Sequence, residues 1–358
     1  MAVRSVEGTG KISDTDEDLR KILETRKAEI KVIGVGGAGN NTISRMMQVG
    51  VIGAQIIAAN TDAQDLLYTD ADKKVLLGRD LTRGLGAGAD PNVGIEAARE
   101  SREDIKDALK GGDMVFITCG LGGGTGTGAS PVIADIAKKM GLLTVGVVTL
   151  PFSMEGKQRM ENARKGLSEL QKTVDTLIFI PNDKLLEIVP DVSIVSAFKI
   201  CDEILVNAVK GITELVTKPG LVNLDFADVR AVMTNGGIAM IGMGESDTEN
   251  RAVEAVEKAL NNPLLDVDID GASGALVNVS GGTDVTIKEC QEIVEAVSTK
   301  LNEDAKIIWG AQITKELGDI VRALLIVTGV KTPLGYTGEA FSREKQKEIE
   351  KILGIEFV

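Results

Sequence analysis

The residues best suited to chemistry lie in one glycine-rich stretch, 122–128, which reads Gly-Gly-Gly-Thr-Gly-Thr-Gly. An apolar run, 114–119, precedes it and an amphipathic run, 131–140, follows it, which predicts a turn between a strand and a helix. Glycines let backbone N–H groups approach a ligand closely, and a helix N-terminus carries partial positive charge. The hydroxyls of Thr125 and Thr127 can donate further hydrogen bonds. The stretch is therefore predicted to bind phosphate rather than to serve as a flexible linker.

A second glycine-rich loop has the spacing of a dinucleotide-binding turn. Residues 34–39 read Gly-x-Gly-x-x-Gly directly after a predicted strand, 30–33. An acidic residue, Asp62, lies about twenty residues further on, where a dinucleotide fold places its ribose contact. Taken alone, this fingerprint fits either an NAD-dependent oxidoreductase or a structural glycine turn.

The elements around these loops predict an α/β architecture. A third glycine-rich loop, 84–92, leads into a predicted helix, 93–110. Predicted strands alternate with helices up to residue 180, which is typical of a parallel sheet with helices on both faces. The loops after parallel strands meet at one edge of the sheet. Three glycine-rich loops there suit a triphosphate better than a pyrophosphate, but the G-x-x-x-x-G-K-[ST] motif of P-loop proteins is absent from the sequence.

Composition excludes several classes of protein. A net charge of −13 disfavours binding to nucleic acid or to an anionic membrane. The sequence has no apolar run near the length of about eighteen residues that membrane insertion requires. Its three cysteines form no disulfide or metal-ligand pattern, so we expect a cytoplasmic protein. The sequence contains no histidine, which leaves acid–base chemistry to carboxylates and metal binding to oxygen ligands that suit Mg²⁺.

Several motifs together resemble one known family. The loop at 123–128 is similar to the signature loop of the tubulin/FtsZ family. Further segments that resemble this family are GVGGAGN at 34–40, AANTDAQ at 58–64, GLGAGADP at 84–91, PFSMEGKQR at 151–159, IPNDKLL at 180–186 and NLDFADVR at 223–230. The resemblance covers about residues 30–330, and Ala38 stands where many members carry glycine.

This resemblance implies a fold and a function. The fold is an α/β Rossmann-type GTPase domain of the tubulin kind with a parallel sheet, a long central helix and a second α/β activation domain. The implied boundaries are an N-terminal extension at 1–29, a GTP-binding domain at 30–192, a central helix at 193–217, the activation domain at 218–330 and a tail at 331–358. The implied function is GTP-dependent assembly of a head-to-tail filament that forms the division ring at mid-cell. A tubulin-like GTPase that controls cell shape is the alternative within the family.

The resemblance also implies a set of nucleotide contacts. They are Gly36, Gly37, Ala38, Gly39, Asn40, Asn60, Asp62, Ala87, Gly88, Gly123, Gly124, Thr125, Gly126, Thr127, Glu155, Arg159, Asn182, Phe198 and Asp202. The ligand would be GTP or GDP, with Mg²⁺ held mainly by phosphates and water, and a role for K⁺ is left open.

Two of these contacts are assigned to guanine. The resemblance implies that Phe198 stacks on the base and that Asp202 accepts hydrogen bonds from its N1–H and exocyclic amine. From the apolar helix pattern alone, Phe198 would instead be a core residue. Glu155 and Arg159 are likewise implied ribose contacts, although their spacing alone fits a surface ion pair.

The implied catalytic residues lie elsewhere in the sequence, at Asn223, Asp225 and Asp228. In the family this loop enters the nucleotide site of the next subunit. There the two aspartates would polarise the attacking water while Asn223 contacts the phosphates. Without the resemblance, the same residues could form a capping loop that starts a helix at Asp228.

The remaining predictions concern the second domain and the ends of the chain. Strands are expected at 231–233, 239–243, 275–279, 306–312 and 323–328, and helices at 13–29, 248–260, 287–301 and 342–353. The charged helix in the tail ends in an apolar peptide. This pattern indicates docking to a membrane-tethering or regulatory partner, or folding back onto its own domain.

Overall fold

The fold is described from a computed structural model. The structure describes residues 28–188, 193–217, 222, 225–262, 269, 272–302 and 304–330. The N-terminal extension up to residue 27, the tail from residue 331 and Asn223 lie outside the described residues, and so do the helices expected in the extension and in the tail.

One sheet of ten strands runs through the described chain in the order β3-β2-β1-β4-β5-β6-β7-β10-β8-β9. The strands are β1 Ile30–Val35, β2 Ala54–Asn60, β3 Lys73–Leu76, β4 Met114–Gly120, β5 Leu143–Leu150, β6 Thr176–Pro181, β7 Gly237–Ser246, β8 Gly274–Gly281, β9 Lys306–Ile313 and β10 Val321–Thr328. Neighbouring strands pair in parallel, except that β10 is antiparallel to both β7 and β8. The predicted α/β class with a parallel sheet is confirmed.

Helices cover both faces of this sheet. They are α1 Gly36–Val49, α2 Ala63–Tyr68, α3 Arg79–Thr82, α4 Pro91–Glu100, α5 Arg102–Leu109, α6 Thr125–Lys139, α7 Lys157–Thr173, α8 Asn182–Ile188, α9 Ile194–Thr217, α10 Phe226–Met233, α11 Arg251–Leu260 and α12 Ile287–Ser298. One apolar core lies beneath α4, α5, α6, α7, α11 and α12, and a second lies beneath α1, α9 and α10. Alternate residues of each strand enter the two cores because side chains of a strand alternate between its faces.

Three helices differ from their predicted bounds. The helix expected at 93–110 is interrupted at Ser101, whose hydroxyl accepts a hydrogen bond from the N–H of Gly78 at 2.9 Å. The sequence predicts helices at about 42–49 and at 131–140. Helices α1 and α6 begin several residues before these bounds, inside their glycine-rich loops, and Pro131 lies within α6 rather than at its start. Glycine has low helix propensity, but here the close packing of the two loops imposes the helical turn.

The strand predicted at 231–233 is wrong. These residues form the last turn of α10, and Val229, Val232 and Met233 are buried on one helical face. A three-residue apolar run cannot distinguish a strand from a helix, whereas the spacing of these three residues fits the helical period.

The long helix α9 connects the two edges of the sheet. Its 24 residues span about 36 Å. The hydroxyl of Thr217, its last residue, donates to the carbonyl of Ile52 at 3.5 Å, close to the start of β2. The first turns of this helix are not buried on every side, because Phe198 and Glu203 are exposed.

Candidate active site

Two of the three glycine-rich loops, 34–39 and 122–128, meet at the carboxyl edge of the sheet and line a cleft of about 510 Å³. The predicted contacts that line this cleft are Gly36, Gly37, Ala38, Gly123, Gly124, Thr125, Gly126, Glu155, Arg159, Asn182, Phe198 and Asp202. Glycine loops, a helix N-terminus and convergent polar side chains thus share one concave surface, as expected for a site that binds an anionic ligand.

The phosphate loop, 122–128, is held in place by Thr127. The side chain of Thr127 is buried, and its hydroxyl oxygen accepts a hydrogen bond from the N–H of Gly122 at 2.8 Å. Thr127 therefore closes the loop from behind and does not line the cleft. At Gly123, by contrast, an added Cβ would meet no atom within 4 Å, so this position opens directly into the cleft.

The second glycine-rich loop, 34–39, packs directly against the phosphate loop. A Cβ at Gly36 would lie 2.9 Å from the backbone nitrogen of Gly126, and one at Gly126 would lie 2.8 Å from the carbonyl oxygen of Gly120. Real Cβ atoms do not tolerate such distances, so both positions require glycine. Gly39 has a packing role as well, because a Cβ there would lie 2.5 Å from the carbonyl oxygen of Thr118.

Asn40 and Asn60 lie behind the cleft and share one carboxylate. Their side-chain amides donate to Oδ2 of Asp65 at 3.0 and 2.6 Å. The nearby Asp62 caps α2 by accepting from two backbone N–H groups. Asp65 was missed by the sequence analysis, because the quoted motif ends one residue before it. This carboxylate links the helix that follows the second glycine-rich loop, 34–39, to the end of β2.

The third glycine-rich loop supports the phosphate loop from outside the cleft. Ala87 is buried, and a Cβ at Gly124 would lie 2.8 Å from the Cβ of Ala87. Gly88 has a positive φ of 57°. Neither Ala87 nor Gly88 lines the cleft, so the structure gives both a supporting position.

At the other end of the cleft lie side chains from α8 and α9. Phe198 is 43% exposed and makes an edge-to-face contact with Phe152, with ring centroids 5.4 Å apart. The expectation of a core position for Phe198 is wrong. Asn182 is buried, and its Oδ1 accepts from the thiol of Cys201 at 3.3 Å.

Asp202 is the partly buried carboxylate of this region. Its Oδ1 accepts a hydrogen bond from the hydroxyl of Thr42 at 2.8 Å. Burial raises the pKa of Asp202, and the hydrogen bond from Thr42 and the charge of Arg45 partly oppose that increase. The cleft therefore contains an acceptor group at the end opposite the phosphate loop.

Glu155 and Arg159 line the cleft and also form an ion pair with each other. Their charged atoms are 3.2 Å apart, and Glu155 also accepts from the N–H of Phe152 at 2.8 Å. The surface-pair interpretation from their spacing is thus correct in geometry. It does not conflict with a contact to a ligand.

Several residues of the cleft were missed by the sequence analysis. They include Asn41, Thr42, Thr149, Cys201 and Leu205. Helical spacing could have indicated three of them, because Cys201 and Leu205 follow Phe198 by three and seven residues, and Thr42 follows Ala38 by four.

Asp225 and Asp228 lie far from the cleft of their own subunit. Both are exposed, and the side chain of Asp228 accepts from the N–H of Asp225 at 3.2 Å. Arg230, on the same helix, donates to the carbonyl of Asp113, just before the start of β4. The phosphate loop follows the other end of β4, and this strand of seven residues spans about 20 Å. The two carboxylates and the cleft therefore lie at opposite edges of the sheet.

The capping interpretation of this segment is correct in part. Asp225 occupies the N-cap position of α10, which begins at Phe226 and not at Asp228.

Within the ranges that the structure describes, no group of three or more acidic or cysteine side chains could hold a metal ion. Nor does any helix in those ranges combine the length and apolar character needed to cross a membrane.

Comparison with known proteins identifies the family. Residues 29–190 match the family model for the Tubulin/FtsZ family, GTPase domain, and residues 237–331 match the model for the FtsZ family, C-terminal domain. The chain is 62% identical over 342 residues to cell division protein FtsZ 1 of Thermococcus kodakarensis, covering 94% of this chain and 91% of that relative. The chain belongs to the tubulin/FtsZ family.

Solved structures agree with this membership. An empty FtsZ dimer from M. jannaschii has 60% sequence identity and a TM-score of 0.86, and the match covers 91% of this chain and 95% of that one. CetZ2 from Haloferax volcanii has a TM-score of 0.75 over 91% of this chain and 99% of its own, but only 23% identity, so it shows the fold alone.

Membership of the tubulin/FtsZ family confirms the activity inferred from the motifs. The chain is a GTP-binding GTPase of the cell-division cytoskeleton, and the NAD-dependent oxidoreductase alternative is set aside.

Proposed function

We propose that this FtsZ-family GTPase assembles head to tail and hydrolyses GTP at the contact between two subunits. The observation that carries the proposal is the separation of the cleft from Asp225 and Asp228. These exposed carboxylates lie at the opposite edge of the sheet from the cleft, so they cannot act on a nucleotide in their own subunit. In a head-to-tail stack, the same carboxylates of one subunit face the cleft of the next.

The cleft accounts for binding of GTP and GDP. Backbone N–H groups of the loops around Gly36 and Gly123, together with the N-terminus of α6, suit the phosphates. Glu155 and Arg159 are proposed ribose contacts, and Asn182 is a proposed base or ribose contact. Phe198 exposes its ring at the cleft, where it can stack on guanine.

Asp202 is proposed to recognise the guanine base. A carboxylate accepts hydrogen bonds from the N1–H and the exocyclic amine of guanine. Adenine presents an acceptor at N1, so it would leave the carboxylate unpaired, and a site built around a buried polar group rejects such a ligand strongly. The position of Asp202 at the far end of the cleft from the phosphate loop supports this assignment.

Mg²⁺ is proposed to be held mainly by phosphate oxygens and water. The cleft offers the hydroxyl oxygen of Thr125 as a protein ligand, its backbone N–H groups suit the phosphates, and the described residues contain no cluster of carboxylates that would hold the ion alone. This donor set fits Mg²⁺, which keeps several waters and binds through substrate phosphates in many nucleotide sites. When bound, the ion would neutralise charge on the phosphates, and a requirement for K⁺ is not assigned.

The carboxylates account for catalysis without histidine. Phosphoryl transfer depends mostly on positioning and electrostatic stabilisation, and a carboxylate can orient the attacking water. Asp225 and Asp228 are proposed to do this in the adjacent subunit. Asn223, which lies outside the described residues, is proposed to contact the phosphates of that subunit.

The filament and its location follow from this arrangement. A head-to-tail contact uses two different surfaces and does not close, so it generates an open filament. We place this filament at the division site at mid-cell, and the tail at 331–358 is proposed to dock a membrane-tethering or regulatory partner. The proposed organisation is an extension at 1–29, a GTP-binding domain at 30–192, a central helix at 193–217 and an activation domain at 218–330.

The test is the rate of phosphate release from GTP as a function of protein concentration. We expect turnover per subunit to be near zero below a threshold concentration and to rise above it. Asp228→Ala should lower turnover by roughly 10²–10⁴-fold and leave GTP affinity within about twofold, because this side chain does not touch its own cleft. Asp107→Ala, at another exposed aspartate, should behave like the unmodified chain. A rate per subunit that does not depend on concentration would contradict the shared site.

A further inference from the structure

Thr42 joins the two helices that form opposite sides of the nucleotide cleft. Helix α1 begins inside the second glycine-rich loop, 34–39, and helix α9 carries Asp202. Where the helices cross, the hydroxyl of Thr42 donates to Oδ1 of Asp202 at 2.8 Å. Thr42 is only 1% exposed, and both residues line the cleft.

The hydroxyl of Thr42 has two acceptors within reach but only one proton. Its oxygen lies 3.1 Å from the carbonyl oxygen of Ala38 and 2.8 Å from Oδ1 of Asp202. A charged acceptor forms the shorter and stronger hydrogen bond, so the proton is directed at Asp202. An ion pair between Arg45 and Glu203, 3.2 Å apart, joins the same helices at their exposed rim, where such pairs contribute little. Thr42 is thus the buried polar link between α1 and α9.

We infer that Thr42 is a positioning residue for guanine recognition, because it fixes the orientation of the Asp202 carboxylate. This inference rests on the proposed role of Asp202 in recognising the guanine base. A carboxylate has about four lone-pair sites, so Oδ1 can accept from Thr42 and keep a second site, while Oδ2 stays free. Hydrogen bonds weaken steeply when their angle is poor. Holding the carboxylate plane therefore favours a ligand edge that presents two adjacent donors.

The same hydrogen bond favours the ionised form of Asp202. Burial raises the pKa of this carboxyl, whereas the donor hydroxyl of Thr42 and the charge of Arg45 lower it and Glu203 raises it again. Across the cleft lie Glu155 and Arg159 as an ion pair. Beside Asp202, the thiol of Cys201 has a pKa raised to about 12 by burial, so it is neutral. Only the ionised carboxylate can accept both hydrogen bonds from guanine.

The test compares binding of GDP and of inosine diphosphate, which lacks the exocyclic amine. Thr42→Val keeps the shape of the side chain and removes its hydroxyl. We expect the Kd for GDP to rise about tenfold and the Kd for inosine diphosphate to rise less, so that discrimination between the two nucleotides falls. We also expect the loss of GDP affinity on acidification to begin at higher pH, because the pKa of Asp202 is no longer lowered by Thr42.

Two controls separate positioning from a general effect on folding. Thr42→Ser keeps the hydroxyl and should restore the affinity, the discrimination and the pH dependence. Thr173→Val removes a threonine hydroxyl at the far end of α7 and should change none of them. If Thr42→Val does not fold, Thr42→Ala removes the same hydroxyl with less bulk, and the same changes are expected.

Asp202→Asn separates failure of this inference from failure of the proposed function. If this variant keeps the GDP affinity of the unmodified chain and its discrimination between GDP and inosine diphosphate, Asp202 does not recognise the base. The proposed function is then wrong at this residue. If it loses them while Thr42→Val and Thr42→Ala keep the original affinity, discrimination and pH dependence, only the inference about Thr42 is overturned.

Discussion

At the scale of single residues, Asp202 shows how a carboxylate that lines the cleft can cost stability. Burial raises its pKa in the folded state above the ordinary value for aspartate. The folded state therefore holds this proton more tightly than the unfolded state does. The ligand-free protein gains stability from this group as pH falls through the raised pKa, and it loses that stability at higher pH, where the buried carboxylate is charged.

Replacing the Asp202 carboxylate tests directly whether its burial in the charged form lowers the stability of the folded state. Asp202→Asn keeps an acceptor for the hydroxyl of Thr42 but removes the buried charge. We expect the unfolding temperature of the ligand-free variant to exceed that of the unmodified chain at neutral pH, and the difference to shrink in acid. Thermal unfolding at the two pH values measures it. A lower unfolding temperature for the variant at neutral pH would show that the charged form is stabilised by its surroundings.

Residue roles were only partly predictable from the sequence. The glycines of the phosphate loop could be predicted because their type and spacing specify a close approach of backbone to ligand. The exposure of Phe198 could not, since an aromatic residue in an apolar helix is ordinarily buried. The bond between Thr42 and Asp202 joins residues 160 positions apart, so it depends on how two helices cross, which no local pattern encodes.

At the scale of elements, Asp65 ties two loop-bearing segments together. It accepts from Asn40, near the start of α1, and from Asn60, at the end of β2. A carboxylate only accepts hydrogen bonds, so it orients both amides with nitrogen toward itself. The oxygen of Asn60 is then free to accept from the N–H of Thr61 at 2.8 Å, which shapes the turn behind the cleft.

Removing the Asp65 carboxylate should destabilise the segments behind the cleft and weaken nucleotide binding. Asp65→Ala leaves two amide groups without their partner, which typically costs about 1–3 kcal/mol of stability per unsatisfied buried group. We expect a lower unfolding temperature and a Kd for GDP several-fold higher. Asp65→Asn should restore most of both, because its carbonyl oxygen can accept from both amides. Asp70→Ala, at an exposed aspartate just beyond α2, is the matched control. Equal defects in Asp65→Asn and Asp65→Ala would mean that the charge, and not the hydrogen bonds, is what matters.

Element types were predicted well where the hydrophobic period was long, and poorly at their ends. The alternation of strands and helices identified the parallel sheet, because each type has its own period. The early starts of α1 and α6 were missed because glycines are normally helix-breaking. The short elements α2, α3 and β3 were missed because four to six residues carry too little periodicity to recognise.

At the scale of the whole molecule, the sheet gives the subunit two chemically different ends. Every described strand except β10 runs in one direction, so the glycine loops collect at one edge. The long helix α9 carries Asp202 at that edge and ends at the other, where α10 presents Asp225 and Asp228. A subunit with a cleft for a ligand at one end and exposed carboxylates at the other is suited to head-to-tail stacking. The sequence alone could not show this separation, which depends on the path of α9 across the sheet.

The central claim is that one active site is built from two subunits, and mixing two inactive variants tests it most directly. Gly123→Glu places a carboxylate where a side chain has room but phosphates would bind, so it blocks the cleft and keeps Asp228. Asp228→Ala keeps the cleft and lacks the carboxylate that we propose to be catalytic. We expect each variant alone to release almost no phosphate from GTP, and their mixture to recover turnover with a maximum near equal amounts. Turnover of the mixture that equals the sum of the separate variants at every ratio would contradict a site shared between subunits.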